Sequence, residues 1–317
     1  MFGISVKADR RQTESQLLKR YSRALLYNRR KIKPIENWCR EHLHISFAEV
    51  VCARPAKLMS LRNRLDDLRH RNVSIDQDSG DYLTGTLYKT LDQSNLCGNA
   101  KTILLESLGV AVCPYCNRNF VYNIENSQTG RLLPTCELDH FLPKNKYPLL
   151  AVSFYNLIPS CHFCNHTKGT QELKAFYPHL LSSAETGQIR FSYWPVGTDY
   201  HTNKDSVAVV IIVPASIKQP VNRWHGWKRS HIVHDIEVLK LRQLYEKHND
   251  VVQKLLLKHA MIDESYVQAM YESFARWFSS KKAVRDLLLD APSDLQDAAD
   301  TPLGKLKFDV LAEHNIL

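Results

Sequence analysis

Four cysteines in the middle of the chain have the spacing of a metal site. Cys113 and Cys116 form one Cys-x-x-Cys pair, and Cys161 and Cys164 form a second, with 44 residues between the pairs. A Cys-x-x-Cys turn directs both sulfurs toward one point, and two such turns supply the four thiolates of a tetrahedral structural Zn²⁺ site. Two unrelated pairs of surface thiols are the alternative, but the spacing favours one zinc ion held by all four residues.

Between the two pairs, an acidic residue directly precedes a histidine, Asp139-His140. Asn156 opens the next apolar run, and Asn165 follows the second cysteine pair. A neutral imidazole accepts a proton near neutral pH, and carboxylate and amide oxygens are ligands for Mg²⁺. A zinc ribbon that only binds nucleic acid or protein does not need the Asp-His pair, so the pattern favours an enzyme while that binding module remains the alternative.

The succession CPYC, LDHFLPK, NLIPSCHFCN and K-G closely resembles the zinc-containing branch of the HNH (His-Me finger) endonucleases, over about 60 of the 317 residues. In a looser form, the chain also resembles the HNH proteins found beside ATPases in bacterial anti-phage defence loci of the Septu type. These resemblances imply a ββα-metal fold, hydrolysis of DNA phosphodiester bonds, Mg²⁺ or Mn²⁺ as catalytic cofactor, and an ATPase as partner protein.

The resemblance to HNH endonucleases also implies a role for each motif residue. His140 matches the general base, which takes a proton from the water that attacks phosphorus. Asp139 and Asn165 match the two protein ligands of the catalytic cation, and Asn156 matches the residue that ties the loop together behind the base. His166 is the alternative to Asn165, because either Asn or His occupies the third motif position in this family.

Basic residues close to the motif are candidates for contacts with phosphate. Lys168 is expected in the first turn of the helix that follows the second cysteine pair, where the helix dipole also favours an anion. Lys144 and Lys146, shortly after the Asp-His pair, are further candidates. We expect Glu137 to be a carboxylate on a strand face at a sheet edge, and His162 to be a surface residue. The alternative for Glu137 is that it orients His140 or a metal-bound water.

Positive charge is concentrated toward the amino-terminal end of the chain. Residues 1–80 contain 17 Lys and Arg against 9 Asp and Glu, which accounts for eight of the nine net positive charges. Such an excess favours a polyanionic partner through Coulomb attraction and counterion release. We expect Arg29, Arg30 and Lys31 to contact the backbone of double-stranded DNA. A helical bundle with a basic, solvated face is the alternative.

The pattern of apolar side chains predicts the elements that position these residues. Spacings of three and four predict helices over residues 13–31, 35–43, 57–71, 99–107, 235–259, 263–279, 281–290 and 303–311. Short β-leaning runs predict strands over residues 119–124, 135–142, 156–160, 191–194 and 207–213. The polar stretch 76–81, which contains a glycine, is expected to be a linker.

We therefore predict an α+β fold in which mainly helical regions flank a small ββα-metal (HNH) module that zinc holds together. The helical, basic region is expected over residues 1–98, the HNH module over 99–180, and a mixed, then mainly helical region over 181–317.

Composition excludes several other classes of protein. The chain has 44% hydrophobic and 24% charged residues, which is ordinary for a globular protein. It lacks a run of 18 uncharged apolar residues, so we expect no membrane span. Residues 1–11 lack the apolar core of a signal peptide, which favours the cytoplasm. No HExxH motif occurs, which argues against a metallopeptidase. The other four cysteines have no metal-site pattern and are expected in the core: Cys39, Cys52, Cys97 and Cys136.

Overall fold

The computed structural model describes residues 1–6, 12–27, 30–95, 98–125, 127–128, 132–217 and 228–314. The fold is α+β, as predicted, with helices and small antiparallel sheets. None of the helices formed by these residues combines the length and the apolar character needed to cross a membrane.

The amino-terminal region is helical, in agreement with its apolar spacing. Its helices are α1 (Glu14–Leu25), α2 (Lys33–Trp38, continued by a π-helical turn over Cys39–Leu43), α3 (Phe47–Val51), α4 (Pro55–His70), α5 (Gln77–Asp81, continued by a π-helical turn over Tyr82–Leu87) and α6 (Ala100–Leu108). The prediction of a linker over 76–81 is wrong, because this segment forms α5. Asp76 instead caps α5, because its carboxylate accepts a hydrogen bond from the backbone of Ser79 at 2.8 Å.

The described strands form antiparallel pairs. These are β1 (Ser94–Asn95) with β2 (Gly98–Asn99), β3 (Asn123–Glu125) with β4 (Leu132–Pro134), β5 (Glu137–His140) with β6 (Leu157–Ser160), and β7 (Arg190–Pro195) with β8 (Val207–Ile212). In place of the strand predicted over 119–124, the structure has β3, which is shorter and begins only at Asn123. In the central pair, Asp139 lies opposite Ile158 and His140 lies opposite Leu157.

Helix α7 (His162–Lys168) follows β6 directly and packs against β5. The chain therefore contains the strand–strand–helix unit that the sequence predicts, with the Asp139-His140 pair at the end of its first strand. We refer to β5, β6 and α7 as the central unit.

The carboxyl-terminal region contains a strand pair and many short helices. The helices are α8 (Ser183–Gln188), α9 (Arg229–Val238), α10 (Leu241–Tyr245), α11 (Asn249–Met261), α12 (Glu264–Ser273), α13 (Lys281–Leu289), α14 (Leu295–Asp300) and α15 (Gly304–Glu313). The single helix predicted over 235–259 is wrong, since it is divided among α9, α10 and α11. Lys240 adopts a left-handed conformation (φ 53°) between α9 and α10, which ends the first of these helices.

One buried apolar cluster includes side chains from all three predicted regions. The buried Tyr21 of α1 donates a hydrogen bond to the carbonyl of Val152, beside the central unit, at 3.0 Å. Asn117 connects the central part with the last helices, since its amide donates to the carbonyl of Ala298 at 3.0 Å and its Oδ1 accepts from the backbone of Lys305 at 2.9 Å. Both flanking regions are thus packed against the segment that contains the cysteines.

Candidate metal centre and active site

The four cysteine sulfurs predicted to bind zinc lie together. Cys113, Cys116, Cys161 and Cys164 are all buried, and their sulfur atoms lie within 4.8 Å of one another. The Sγ atoms of Cys116 and Cys161 are 3.9 Å apart. In a tetrahedral site with Zn–S bonds of about 2.3 Å, neighbouring sulfurs are about 3.8 Å apart. The donor set and its spacing therefore fit a structural zinc ion.

Local backbone geometry brings the sulfurs together. Asn117 adopts a left-handed conformation (φ 51°) and its backbone N–H donates to the carbonyl of Cys113 at 2.7 Å, which closes the first turn. Cys161 is the residue between β6 and α7, and Cys164 lies in the first turn of α7. Hydrogen bonds from the other three thiols lower the pKa of Cys161, which favours the thiolate form that binds a metal.

A fifth cysteine near the cluster is not part of it. Cys136 is buried, as predicted, but it does not belong to the group of sulfurs that could hold a metal. Burial raises the pKa of Cys136 to about 11, so its side chain remains a thiol at neutral pH. Cys39 is also buried and Cys52 is half-buried, while Cys97 lies outside the described residues.

The carboxylate of Asp139, predicted to bind the catalytic cation, is buried and engaged on both oxygens. The Lys168 ammonium donates to Oδ1 at 3.0 Å, and the Tyr115 hydroxyl donates to Oδ2 at 2.7 Å. The amide of Asn165, the other predicted ligand, donates to Glu137 at 2.6 Å instead. The two predicted ligands face different partners, so this arrangement does not fit a cation held between them, and their joint role stays a prediction.

Lys168 occupies a different position from the one expected. It is the last residue of α7 rather than a residue of its first turn. Its side chain is fully buried, and its Nζ donates to the carbonyl of His140 at 2.7 Å in addition to the Asp139 carboxylate. Because the ammonium is buried, it is not accessible to a phosphate. It instead holds the end of β5 against α7.

His140 ends β5 and points away from the preceding carboxylate, because neighbouring residues of a strand face opposite sides. Its ring packs against Tyr88, with 4.8 Å between the ring centroids. Its Nε2 is buried and has no hydrogen-bond partner among the described residues, whereas a hydrogen bond links the ring to the backbone of Ala151. Burial, followed by the charges of Lys144 and Lys168, lowers the pKa of His140 to about 3, so the imidazole is neutral at neutral pH.

Asn156 holds together the loop between β5 and β6. Its Oδ1 accepts a hydrogen bond from the backbone of Leu142 at 2.7 Å. Its amide donates to the carbonyls of Leu142 at 3.1 Å and Leu150 at 2.9 Å. These three bonds tie both ends of the loop to one buried side chain, next to His140, which is the kind of position that the resemblance implies for Asn156.

A second group of side chains of the types that bind metals, one glutamate and two histidines, lies at the start of β5 and on α7, and sequence reasoning missed it. Oε1 of Glu137 lies 2.7 Å from Nδ1 of His162, and Oε2 lies 3.8 Å from Nε2 of His166. The available signal was the spacing of the two histidines, which places them on one face of a helix at positions i and i+4. The partner carboxylate on β5 is not visible in that local pattern.

Lys144 and Lys146 lie in different surroundings. The ammonium of Lys146 donates to a carboxylate oxygen of Glu172 at 2.5 Å, which neutralises much of its charge locally. Lys144 lies over the ring of Tyr88, with Nζ 4.8 Å from the centroid, and this ring is the one that covers His140. Of these two lysines, Lys144 is therefore the one placed beside the predicted base.

The predicted backbone-binding residues of the amino-terminal region precede α2. Arg30 and Lys31 are exposed, while Arg29 lies outside the described residues. Nζ of Lys31 lies 5.9 Å from the centroid of the Tyr82 ring. A groove of about 820 Å³ lies between α1 and α2, and its wall includes three further basic side chains, those of Arg23, Lys33 and Arg40.

Comparison with known proteins finds a short similarity. Over 38 residues, the chain is 55% identical to Septu protein PtuB of Bacillus thuringiensis. The aligned segment covers 12% of this chain and 15% of PtuB, so the similarity concerns a small part of each protein. No model of a protein family matches the chain, and no solved structure matches it.

Replacing Cys161 by serine is expected to remove zinc and to unfold the central unit, because small metal-held units obtain folding free energy from the metal. Elemental analysis should find one zinc ion per wild-type chain and far less in the variant, and circular dichroism should show lost structure. The matched control is Cys136→Ser, which removes a buried thiol outside the cluster and should keep the zinc. A Cys161→Ser protein that folds fully without zinc would contradict the assignment.

Replacing Lys168 by alanine should lower the free energy of unfolding by about 3–5 kcal/mol, because it leaves the buried Asp139 carboxylate without its counter-ion. Urea denaturation measures the difference. Lys254→Ala is the control, since Lys254 forms an exposed pair with Asp250 that is worth at most about 1 kcal/mol. If Lys168→Ala had wild-type stability but bound DNA more weakly, Lys168 would be a phosphate contact, as the sequence predicted.

Proposed function

We propose that the chain is a metal-dependent endonuclease of the HNH type that hydrolyses phosphodiester bonds of double-stranded DNA, with His140 as the general base. The observation that supports this proposal most directly is the buried Nε2 of His140, which has no hydrogen-bond partner among the described residues. An unpaired buried polar atom calls for an explanation, and catalysis is one that suits a histidine directly after a carboxylate at the end of β5. The strand–strand–helix unit around this residue and the four-cysteine cluster add to the support.

The proposed chemistry of His140 follows from the contacts of its ring. The backbone of Ala151 engages the ring by a hydrogen bond, which holds the imidazole in one orientation. Nε2 then keeps its lone pair for a proton from the water that attacks the phosphorus atom. Asn156 keeps the neighbouring loop in place, so the position of the base does not depend on the substrate.

The proposed catalytic cation is Mg²⁺ or Mn²⁺, which would neutralise charge on the phosphate and assist the leaving oxygen. Its support is the resemblance of the motif to HNH endonucleases, since Asp139 and Asn165 are not directed toward one point in this arrangement. The four-cysteine zinc site has a separate, structural task, because four protein ligands leave no open coordination position.

We further propose that the nuclease acts in bacterial anti-phage defence, in the cytoplasm and together with an ATPase partner protein. The 38-residue similarity to a Septu protein supports the first part. The partner follows from the looser resemblance to HNH proteins found beside ATPases.

Replacing His140 by alanine should reduce nicking of supercoiled plasmid by about 10²–10⁴-fold, because the attacking water loses its proton acceptor. Agarose gels of plasmid incubated with Mg²⁺ or Mn²⁺ measure the rate, and chelation by EDTA should stop it. His70→Ala is the matched control, since His70 is an exposed histidine at the end of α4. DNA binding should stay close to wild type in both variants, and circular dichroism should show that His140→Ala, which loses a packed ring, is still folded.

Two results would count against the proposal. Cleavage by His140→Ala at the wild-type rate would show that His140 is not the base. DNA binding without cleavage by the wild-type protein, with either cation and with the partner present, would favour the zinc-ribbon binding module.

Reversing the charges of Arg30 and Lys31 should weaken DNA binding equally for all sequences. Each lost phosphate contact lowers the slope of log affinity against log salt by about 0.9, so the double variant should lose about two units. Fluorescence anisotropy at several salt concentrations measures this slope. Lys204→Glu is the control, because Lys204 is an exposed lysine outside residues 1–80. An unchanged slope in the double variant would mean that Arg30 and Lys31 face solvent and do not contact DNA phosphates.

A further inference from the structure

We infer that Glu137, His162 and His166 form a second metal centre, which binds a divalent transition-metal ion on the exposed side of α7. This site is separate from the four-cysteine cluster and uses neither Asp139 nor a cysteine. It does not rest on the proposed function, because it follows from the positions of three side chains and is tested by metal binding alone.

The three side chains already converge on a small volume. One nitrogen of each histidine and one oxygen of Glu137 lie within 4.8 Å of one another. The carboxylate of Glu137 contacts both histidines through different oxygens, at 2.7 Å to His162 and 3.8 Å to His166. The two imidazole rings lie side by side, with 3.9 Å between their centroids. An ion between these atoms needs side-chain adjustments of about an ångström to reach metal–nitrogen distances of about 2.0–2.1 Å.

The elements that present these ligands are held rigidly by the zinc-binding cysteines and by Lys168. His162 and His166 are one helical turn apart on α7 and therefore lie on the same face. The buried side of the same helix carries Cys164 and Lys168. Since β5 packs directly against α7, Glu137 is kept opposite the two histidines. A preformed ligand set of this kind loses little conformational freedom when a metal binds.

The site is open to solvent, so an ion has access to it. The side chains of His162 and His166 are 73% and 64% exposed, and that of Glu137 is 37% exposed. Three protein ligands would leave further coordination positions for water or a substrate oxygen. Asn165 contacts the same carboxylate at 2.6 Å, and rotation of its amide would direct its oxygen toward the ion.

The chemistry of the ligands selects the class of ion. Imidazole nitrogens suit Zn²⁺, Co²⁺ and Ni²⁺, whereas Mg²⁺ and Ca²⁺ prefer a shell made only of oxygen atoms. A simple surface ion pair between Glu137 and His162 is the alternative. Such exposed pairs contribute little stability, and one pair does not account for two adjacent imidazoles and an amide around one carboxylate.

Cobalt is a suitable probe, because its visible spectrum distinguishes nitrogen and oxygen ligands from sulfur. Full-length protein with zinc in the four-cysteine site should bind one further equivalent of Co²⁺. The expected spectrum has weak d–d bands without the intense sulfur-to-cobalt charge-transfer bands of cysteine ligation. No binding, or a spectrum with charge-transfer bands alone, would overturn the inference.

Variants then assign the ion to these residues. His162→Ala and His166→Ala should each weaken Co²⁺ binding by at least about tenfold, and Glu137→Gln should have a similar effect. His70→Ala should bind Co²⁺ like the wild type. Because both replaced histidines are exposed, zinc content and circular dichroism should be unchanged, which separates loss of the site from misfolding. Wild-type affinity in the variant that lacks both histidines would overturn the inference.

Discussion

The convergence of four cysteine sulfurs at the junction of β6 and α7 is the constraint on which the rest of the structure depends. Strands β5 and β6 have four residues each, and a two-stranded sheet of that size is not stable alone in water. A metal bonded to both cysteine turns would fix where α7 begins relative to β5. The first of these turns also anchors the carboxyl-terminal helices, since the Tyr245 hydroxyl of α10 donates to the carbonyl of Cys116 at 2.5 Å and Asn117 binds the backbone of α14 and α15.

Once the start of α7 is fixed, its direction decides which side chains meet. The helix runs along β5, so that its first turns reach Glu137 and its last residue, Lys168, reaches Asp139. The two carboxylates are two residues apart and share one face of the strand, whereas His140 lies on the other face. Desolvation offsets most of the Coulomb attraction in a buried pair. The contact between Asp139 and Lys168 therefore matters chiefly because it fixes the geometry of the strand end beside the histidine.

Local sequence patterns were sufficient for elements whose causes lie close together in the chain. The gathering of the four cysteines, the strand that ends at His140 and the helix after the second cysteine pair were all predicted in this way. Local patterns were insufficient where the position of a side chain depends on a partner that is distant in the sequence. The burial of Lys168 depends on Asp139, 29 positions earlier, and nothing near Lys168 in the sequence indicates that contact. The role of residues 76–81 was missed because Gly80 suggests a break, whereas the cap supplied by Asp76 starts a helix.

Several arginines of the amino-terminal region are paired with carboxylates and are therefore less available to a phosphate. The cations that remain in position for phosphate are best judged by their distance from the base. Lys31 lies over the ring of Tyr82. Six residues after Tyr82, the ring of Tyr88 lies between Lys144 and His140. Under the proposed function, Lys144 is therefore the cation best placed to meet a phosphate beside His140, with the ring of Tyr88 between the two side chains.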